Sequence, residues 1–216
     1  MINLSNKKNS GGVTIIETMI SVALFIVITT VGMGALLNGN LLYQKSQDMR
    51  TIIDNLNFTM EDMSRNIRTG YNYRCYTSSD PIIPTDDNPT ILSVPRSCAS
   101  GGGWAIAFES AYGDNTVTDG NPVNYKDQWI YRIDAEGKIF KATTGPYTTS
   151  SFVQLTPDEV DIDPALSSFV VTGAEPTLGD TAQPSVTMRL VGTITYQNVV
   201  SPFAIQTTVS QRLLDI

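Results

Sequence analysis

The sequence predicts an α+β protein in which one long N-terminal helix, first transmembrane and then amphipathic, packs on an antiparallel β-sheet. Three observations support this prediction. An apolar run with a single charged residue, Glu17, extends from residue 13 to residue 37. Apolar residues then recur at three- and four-residue steps up to residue 67. From residue 71 onward, short β-branched runs alternate with segments rich in Gly, Pro, Ser, Thr, Asn and Asp.

The length of 216 residues corresponds to one domain, or to one domain with an appendage. We divide the chain into a leader at 1–12, a transmembrane half of the helix at 13–40, an amphipathic half at 41–70, and a globular antiparallel β domain with long loops at 71–216. The net charge is −7. This charge argues against a nucleic-acid surface, which needs clustered Lys and Arg.

The composition also argues against an enzyme. The chain contains no histidine, which is the commonest general base and metal ligand, so a Ser-His-Asp or Cys-His arrangement is impossible. The segment Gly101-Gly102-Gly103-Trp104 lacks the Lys-Ser/Thr pair of a phosphate-binding loop and precedes no predicted helix, so we interpret it as a turn. We expect no catalytic residue, no cofactor-binding residue and no cofactor.

Two acidic segments contain oxygen ligands that calcium accepts. One is 158–163, and the other includes Asp114, Asn115, Asp119 and Asn121. Neither has the ligand spacing of an EF-hand. We therefore interpret both as solvated acidic loops and predict no metal site.

The polar leader and the apolar run together predict a membrane span. Residues 1–12 contain Lys7 and Lys8 but no acid, which is typical of a targeting leader. The apolar run would extend roughly 37 Å as a helix, enough for a hydrocarbon core of about 30 Å. Basic charge before the span and net acidic charge after it predict a cytoplasmic N-terminus and an extracytoplasmic domain. An ordinary secretory signal and an uncleaved anchor are the alternatives.

Glu17 needs an explanation, because an acid within a membrane costs about 2.5–3.5 kcal/mol. If the chain were cut between Gly12 and Val13, a new α-amino group at Val13 could pair with this carboxylate, in the same chain or in a neighbouring one. Pairing between neighbours would neutralise both charges in lipid and fix the axial stagger of adjacent helices. The alternative is a chance acid near the membrane surface.

The amphipathic half of the helix has one apolar face. This face is formed by Met49, Ile52, Ile53, Leu56, Met60, Met63 and Ile67. Thr69-Gly70 predicts the end of the helix. Two interpretations stay open for Gly32, Gly34 and Gly39: they ease close helix packing in the membrane, or they form a weak point in the helix.

The β domain contains several strand candidates and two cysteines. Strands are predicted at 104–109, 128–133, 138–143, 151–155, 168–173, 185–194 and 203–210. The runs around 134–137 predict a hairpin, and the last two strands predict a closing antiparallel pair. Cys75 and Cys98 bracket a proline-rich loop and predict one disulfide, which suits an oxidising compartment. Two unrelated free thiols are the alternative.

Gly12 followed by Val13-Thr14-Ile15-Ile16-Glu17, after a basic leader and before an apolar helix, resembles the class III signal of type IV pilins and pseudopilins. The family usually has Phe where this chain has Val13. The resemblance implies a pilin-like fold, cleavage between Gly12 and Val13, N-methylation of Val13, and a subunit-register role for Glu17. The implied partners are a prepilin peptidase, other pilin or pseudopilin subunits through the first helix, an inner-membrane assembly platform and membrane lipid, with no nucleic acid.

The globular part is similar to minor pilins and pseudopilins of the J and W type. The similarity rests on Arg65-Asn66-Ile67, on Gln183-Pro184-Ser185-Val186-Thr187-Met188, and on Thr208-Val209-Ser210-Gln211-Arg212. It implies a structural subunit of the inner membrane that joins a type IV pilus or a type II secretion pseudopilus, with the filament tip as one position for it. The alternatives are a major pilin, although major pilins typically carry proline where this chain has Gly34, and a membrane-anchored extracytoplasmic binding or adhesion domain that does not polymerise.

Overall fold

The structure is a computed structural model, and it describes residues 12–80, 95–98, 101–111, 128–143, 147, 149–175, 183–197 and 199–212. The chain divides into two units, and the boundary falls between Gln47 and Asp48. One helix, α1 (Ile15–Thr69), runs through this boundary, and the described strands all follow it in the chain. The predicted α+β class is confirmed.

The first unit contains the apolar part of α1. The most apolar 18-residue window of the helix has a mean hydropathy of 2.4, and none of that window is buried. Its large side chains are exposed, for example Ile15 at 81%, Phe25 at 66% and Leu36 at 75%. The helix is long and apolar enough to cross a membrane, which is consistent with single-pass anchoring.

In the second unit, α1 buries one face against the sheets. The buried residues are Ile52, Leu56, Thr59, Met60, Met63 and Ile67, all at most 7% exposed. Their spacing follows the helical period, as predicted. Ile53 was wrongly assigned to this face, because it is 42% exposed. Thr59 takes a buried position that the pattern did not predict, and its hydroxyl donates to the Asn55 carbonyl at 2.9 Å, which satisfies the buried polar group.

A polar cluster also joins α1 to the sheets. Asn66 Nδ2 donates to the Tyr131 hydroxyl at 2.9 Å, and that hydroxyl lies 3.4 Å from Asp62. The Lys141 ammonium pairs with the same Asp62 carboxylate at 3.0 Å. Burial raises the pKa of Tyr131, so its hydroxyl stays protonated and available as a donor. This cluster fixes the rotation of the helix relative to the strand that carries Tyr131.

The helix ends at Thr69, as predicted, and a strand begins at once. The Gly70 N–H donates to the Asn66 carbonyl at 3.1 Å, and a Cβ at Gly70 would overlap the Phe108 ring. The buried Tyr73 hydroxyl donates to the carbonyls of Ile67 and Gly70 at 2.6 and 2.7 Å. The bonds to the Asn66 and Ile67 carbonyls satisfy groups of the last turn that a helix end leaves without a partner.

The described strands form two antiparallel sheets, so the single predicted sheet was wrong. The first sheet contains β1 (Tyr71–Tyr76), β2 (Ala105–Glu109), β3 (Gln128–Ile133), β4 (Ile139–Ala142) and β5 (Val153–Gln154), and the second contains β6 (Val160–Ile162), β7 (Ser168–Thr172), β8 (Ser185–Tyr196) and β9 (Val199–Ser210). A short 3₁₀ helix, Thr149–Ser151, precedes β5. Strands β1 and β6 were not predicted.

The first sheet follows chain order, β1-β2-β3-β4-β5. The predicted hairpin is its β3–β4 pair, in which Ile133 lies opposite Ile139. In the turn, the Gly137 N–H donates to the Asp134 carbonyl at 3.2 Å, and Gly137 has a φ of 75°, a conformation that favours glycine.

The second sheet is built around β8. One edge of β8 pairs with β9 along its whole length, from Ser185↔Ser210 to Tyr196↔Val199, so the predicted closing pair is confirmed. The other edge is shared by β6 and β7, which lie opposite different parts of β8. The inner face of β8 is buried, and it includes Met188 and Leu190 at 0% exposed.

A short segment beside the disulfide connects the two sheets. Cys75 in β1 is bonded to Cys98, as predicted. The Cys75 N–H donates to the Arg96 carbonyl and the Arg96 N–H to the Tyr73 carbonyl, both at 3.0 Å, so this segment runs along β1. The Cys98 N–H donates to the Val171 carbonyl in β7 at 2.9 Å. The disulfide therefore lies at the junction of the two sheets.

Candidate functional site

The candidate site is the start of α1, where the sequence predicts cleavage and assembly. Gly12, Val13 and Thr14 precede the helix and are exposed. The Thr14 carbonyl accepts from the N–H groups of Glu17 and Thr18 at 3.1 and 3.2 Å, and Thr14 Oγ1 lies 3.4 Å from the Glu17 N–H. Thr14 is therefore the N-cap. Lys7 and Lys8 lie outside the described residues.

Thr14 and Glu17 have the spacing of a capping box, Ser/Thr-x-x-Glu. The sequence contains this spacing, but the cap was not predicted from it. The carboxylate lies in the first turn of the helix, where the helix dipole favours negative charge. Within the described residues only the Thr14 half of the box is formed, because the Glu17 N–H bonds to Thr14 and the Glu17 carboxylate does not bond back. The box itself does not require a carboxylate, because glutamine serves it as well.

The Glu17 side chain has no partner within the described part of the chain. Its backbone groups bond to Thr14 and Ser21, but its carboxylate makes neither a hydrogen bond nor an ion pair there. The neighbouring side chains Ile15, Ile16 and Ile20 are exposed. A charge among apolar groups is costly in lipid unless it is paired, so an unpaired carboxylate here needs a cation from elsewhere.

Unlike the Glu17 carboxylate, the hydroxyl groups of the apolar run form hydrogen bonds within their own helix. Thr18 donates to the Ile15 carbonyl at 2.7 Å and Ser21 to the Glu17 carbonyl at 2.8 Å. Thr29 and Thr30 donate in the same way to carbonyls one turn earlier. Such bonds satisfy hydroxyl groups that would be costly in hydrocarbon. Glu17 is thus the polar side chain of this run that its own helix leaves unsatisfied.

The three glycines of α1 do not interrupt the helix. The helix is continuous through Gly32, Gly34 and Gly39, and a Cβ at any of them would meet nothing within 4 Å. Contacts within the chain therefore do not require glycine at these positions. A helix surface without side chains suits close approach by another helix. The second interpretation, a weak point in the helix, agrees equally with these contacts.

Two of the three segments on which the sequence resemblance rests, 65–67 and 208–212, meet at the end of α1. Ile67 is 1% exposed and Val209 is 2% exposed, and both belong to the core. The Arg212 N–H donates to the Arg68 carbonyl at 2.9 Å. In this chain the motifs therefore have a packing role, which joins the end of β9 to the end of the helix.

The predicted acidic segments hold no metal site in the described residues. Within 158–163, Val160 to Ile162 form β6 rather than a loop, and Asp161 pairs with Lys138 at 3.3 Å. Lys138 also donates to the Asp158 carbonyl at 2.9 Å. The second acidic segment, with Asp114, Asn115, Asp119 and Asn121, lies outside the described residues.

An ion pair closes the turn that follows β1. The guanidinium of Arg96 donates to the Asp80 carboxylate and, at 2.6 Å, to the Cys75 carbonyl. The hydrogen bond from Arg96, opposed by burial and supported by bonds from Thr77, lowers the pKa of Asp80 to about 2. Nearby, burial would raise the pKa of Glu175, but hydrogen bonds from Ser97 lower it overall. These groups stabilise the disulfide region.

Comparisons of the chain with protein-family models, with curated proteins and with solved structures found no match. The class of protein therefore rests on its architecture. One long N-terminal apolar helix, packed through its second part on antiparallel sheets, is a pilin-like architecture. This likeness concerns the arrangement of the elements and does not assign a specific family.

Proposed function

We propose that this protein is a structural subunit, a minor pilin or pseudopilin, of a type IV pilus or a type II secretion pseudopilus. A prepilin peptidase would remove the leader between Gly12 and Val13 and methylate the new N-terminus. The helix would anchor the subunit in the inner membrane, with the second unit outside the cytoplasm. It would then pack beside the helices of other subunits in the filament.

The observation that carries the proposal is the Glu17 carboxylate, which lies in an exposed apolar helix and has no partner among residues 12–80 and the other described parts of the chain. Cleavage after Gly12 would create an α-amino group, and the amino terminus of a neighbouring subunit could then pair with Glu17. The pair would neutralise both charges in lipid, whereas either charge alone would be costly there. The same pair would set the axial stagger between subunits.

The test must separate the charge of Glu17 from the capping-box spacing that it shares with Thr14. Glu17→Gln keeps a side chain that the capping box accepts but removes the charge. We expect Glu17→Gln and Glu17→Ala each to lower the amount of subunit in sheared filaments about tenfold or more, which corresponds to a loss of roughly 1.4 kcal/mol. The amount in the membrane and the cleavage of the leader should stay unchanged.

Glu136→Gln is the matched control, because Glu136 is an exposed carboxylate in the β3–β4 turn. It should assemble like the wild type. Normal assembly of Glu17→Gln would show that the charge does not set the register. A membrane-anchored binding domain that never polymerises would leave no wild-type subunit in the filament fraction either.

A further inference from the structure

Trp104 lies between two clefts in the second unit. One cleft, of about 340 Å³, is lined on its other sides by Gly101–Gly103, Leu166, Ser168 and Arg189. The other, of about 360 Å³, is lined by Arg132, Ile133, Asp134, Ala135 and Pro164. Trp104 and Pro164 line both clefts. A ligand that occupied both clefts would therefore contact the Trp104 indole where the two clefts adjoin.

The indole is held in place by its neighbours. Its Nε1–H donates to the Thr77 carbonyl at 3.0 Å, and the backbone N–H of Trp104 donates to the Tyr76 carbonyl at 2.9 Å. The Ile133 N–H donates to the Trp104 carbonyl at 2.8 Å. The Tyr76 ring packs at a tilt, with its centroid 6.2 Å away. A fixed aromatic surface loses little conformational entropy when it binds a ligand.

The first cleft favours an anion. Among the described residues that line it, Arg189 is the basic side chain and none is acidic. Arg189 is exposed and has no ion pair or hydrogen bond within the described residues. It lies opposite Ser168 in the β7–β8 pair, and these two positions share the outer face of the sheet. A guanidinium in this setting can bind a carboxylate through two parallel hydrogen bonds.

Gly102 allows the loop to approach β7 closely at Ser168, and this close approach narrows the first cleft there. Gly102 has a φ of 70°, and a Cβ there would lie 2.6 Å from the Ser168 Cβ. A side chain would not fit between this loop and β7. The predicted turn at 101–104 thus brings its backbone against Ser168, and it forms one wall of the cleft beside Arg189.

The second cleft favours a ligand with an apolar surface and polar groups at its edge. Trp104, Ile133, Ala135 and Pro164 supply apolar wall, and Asp134 and Arg132 supply the charged groups. A pocket that is mostly apolar, with a few polar groups to fix orientation, is typical of small-molecule sites. Sugar rings have this character, because their C–H groups form an apolar face and their hydroxyl groups lie around its rim.

We propose that the two clefts bind an acidic saccharide, with a sugar ring against Trp104 and its carboxylate against Arg189. A simple anion would use only the first cleft, and an uncharged apolar ligand only the second. The shared indole favours a ligand with both properties. This binding activity goes beyond the proposed structural function, and it does not depend on cleavage or on assembly.

The test uses the full-length chain in detergent micelles. The chain has two tryptophans, Trp104 and Trp129, so Trp129→Phe leaves Trp104 as the reporter at the clefts. We would titrate this variant with oligogalacturonate and, separately, with its fully methyl-esterified form, which differs in charge but keeps the sugar rings. We expect the acid to change the fluorescence of Trp104 and to bind about tenfold or more tightly than the ester, the ratio that about 1.4 kcal/mol of charge-assisted hydrogen bonding gives.

Arg189→Gln, made in the same background, should remove the preference for the acid. Arg50→Gln makes the same charge change at an exposed position on α1 and should retain the preference. The proposal is overturned if neither saccharide changes the fluorescence of Trp104, if acid and ester bind equally, or if Arg189→Gln keeps the preference. Far-UV circular dichroism of each variant checks that the chain is folded.

Discussion

The two parts of α1 bury their apolar residues to very different extents. In the first unit, Met33 is 66% exposed and Leu36 is 75% exposed, and neither has a buried neighbour on the same stretch. In the second unit, Met63 is 0% exposed and Leu56 is 2% exposed. The same residue types on one helix therefore have different surroundings. The apolar residues of the second part are buried against the sheets of its own unit. Those of the first part are not buried by any described residue.

This difference in burial indicates that the two parts of α1 have different roles. Burying a large apolar side chain contributes roughly 1.5–3 kcal/mol, so the second part stabilises the fold of its unit. An apolar helix that stays exposed on all sides is typical of one that meets lipid or other helices. The following predictions test this division, from the largest expected effect to the smallest.

Met63→Ala and Met33→Ala compare the same substitution in the two parts of α1. Met63→Ala should lower the free energy of unfolding by about 2–5 kcal/mol, because it leaves a cavity in a packed core. Met33→Ala should change it by less than about 0.5 kcal/mol, since the side chain has no packing to lose. Urea unfolding of the full chain in micelles, followed by tryptophan fluorescence, measures both. Equal losses would contradict the division.

Removing the disulfide should destabilise the second unit and leave the first unaffected. The double variant Cys75→Ser and Cys98→Ser releases a loop closed over a sequence separation of 23 residues. The expected loss is about 3 kcal/mol of unfolding free energy. Hydrogen exchange, read separately over 15–47 and over the strands, measures the two regions in one experiment. Equal loss of protection in both regions would show that they unfold together.

Gly70→Ala and Gly34→Ala compare two glycines of the same helix and its end. A Cβ at Gly70 would overlap the Phe108 ring, so we expect a loss of about 1–3 kcal/mol. A Cβ at Gly34 would meet nothing within 4 Å, and alanine should favour the helix by up to about 1 kcal/mol. Thermal unfolding in micelles gives the sign of each change. A stabilised Gly70→Ala variant would contradict the packing described for the helix end.

The Asp80–Arg96 pair predicts a loss of stability in acid. The pKa of Asp80 falls from 3.8 to about 2 on folding, so the carboxylate contributes stability above pH 4. Protonation removes that contribution as the pH falls through about 2. The expected size is about 1–2 kcal/mol. Wild type should lose more stability than Asp80→Asn between pH 4 and pH 2, as measured by urea unfolding at each pH. Identical pH profiles would show that the pair does not stabilise the fold.

The elements that the sequence predicted are those with strong local patterns. The three- and four-residue spacing predicted the buried helix face, and Thr69-Gly70 predicted its end. The β3–β4 hairpin followed from two alternating runs around a turn with Gly137, which has the positive φ that such a turn needs. Each of these patterns lies within a few residues of the chain, so no knowledge of distant contacts was required.

The elements that the sequence did not predict depend on distant contacts. β1 follows the helix end directly and contains Asn72 at a positive φ of 55°, and its pairing with β2 accommodates this irregularity by a register shift between Tyr71 and Arg74. β6 lies in an acidic run and pairs with residues 192–194 of β8. Ile53 is exposed and Thr59 is buried, the reverse of what the pattern predicted, because the position of the sheets determines which side of the helix is covered. At the candidate site, the Thr14 cap was readable from the spacing, but only the structure shows that the described residues offer the Glu17 carboxylate no partner.

Mass spectrometry of the N-terminus of the mature protein tests the central claim most directly. The claim is that cleavage between Gly12 and Val13 creates the amino group that pairs with Glu17 of a neighbour. We expect the membrane-bound protein to begin at Val13 and to carry one N-methyl group. A protein that keeps Met1, or that begins near Asn40 after the apolar run, would contradict the account.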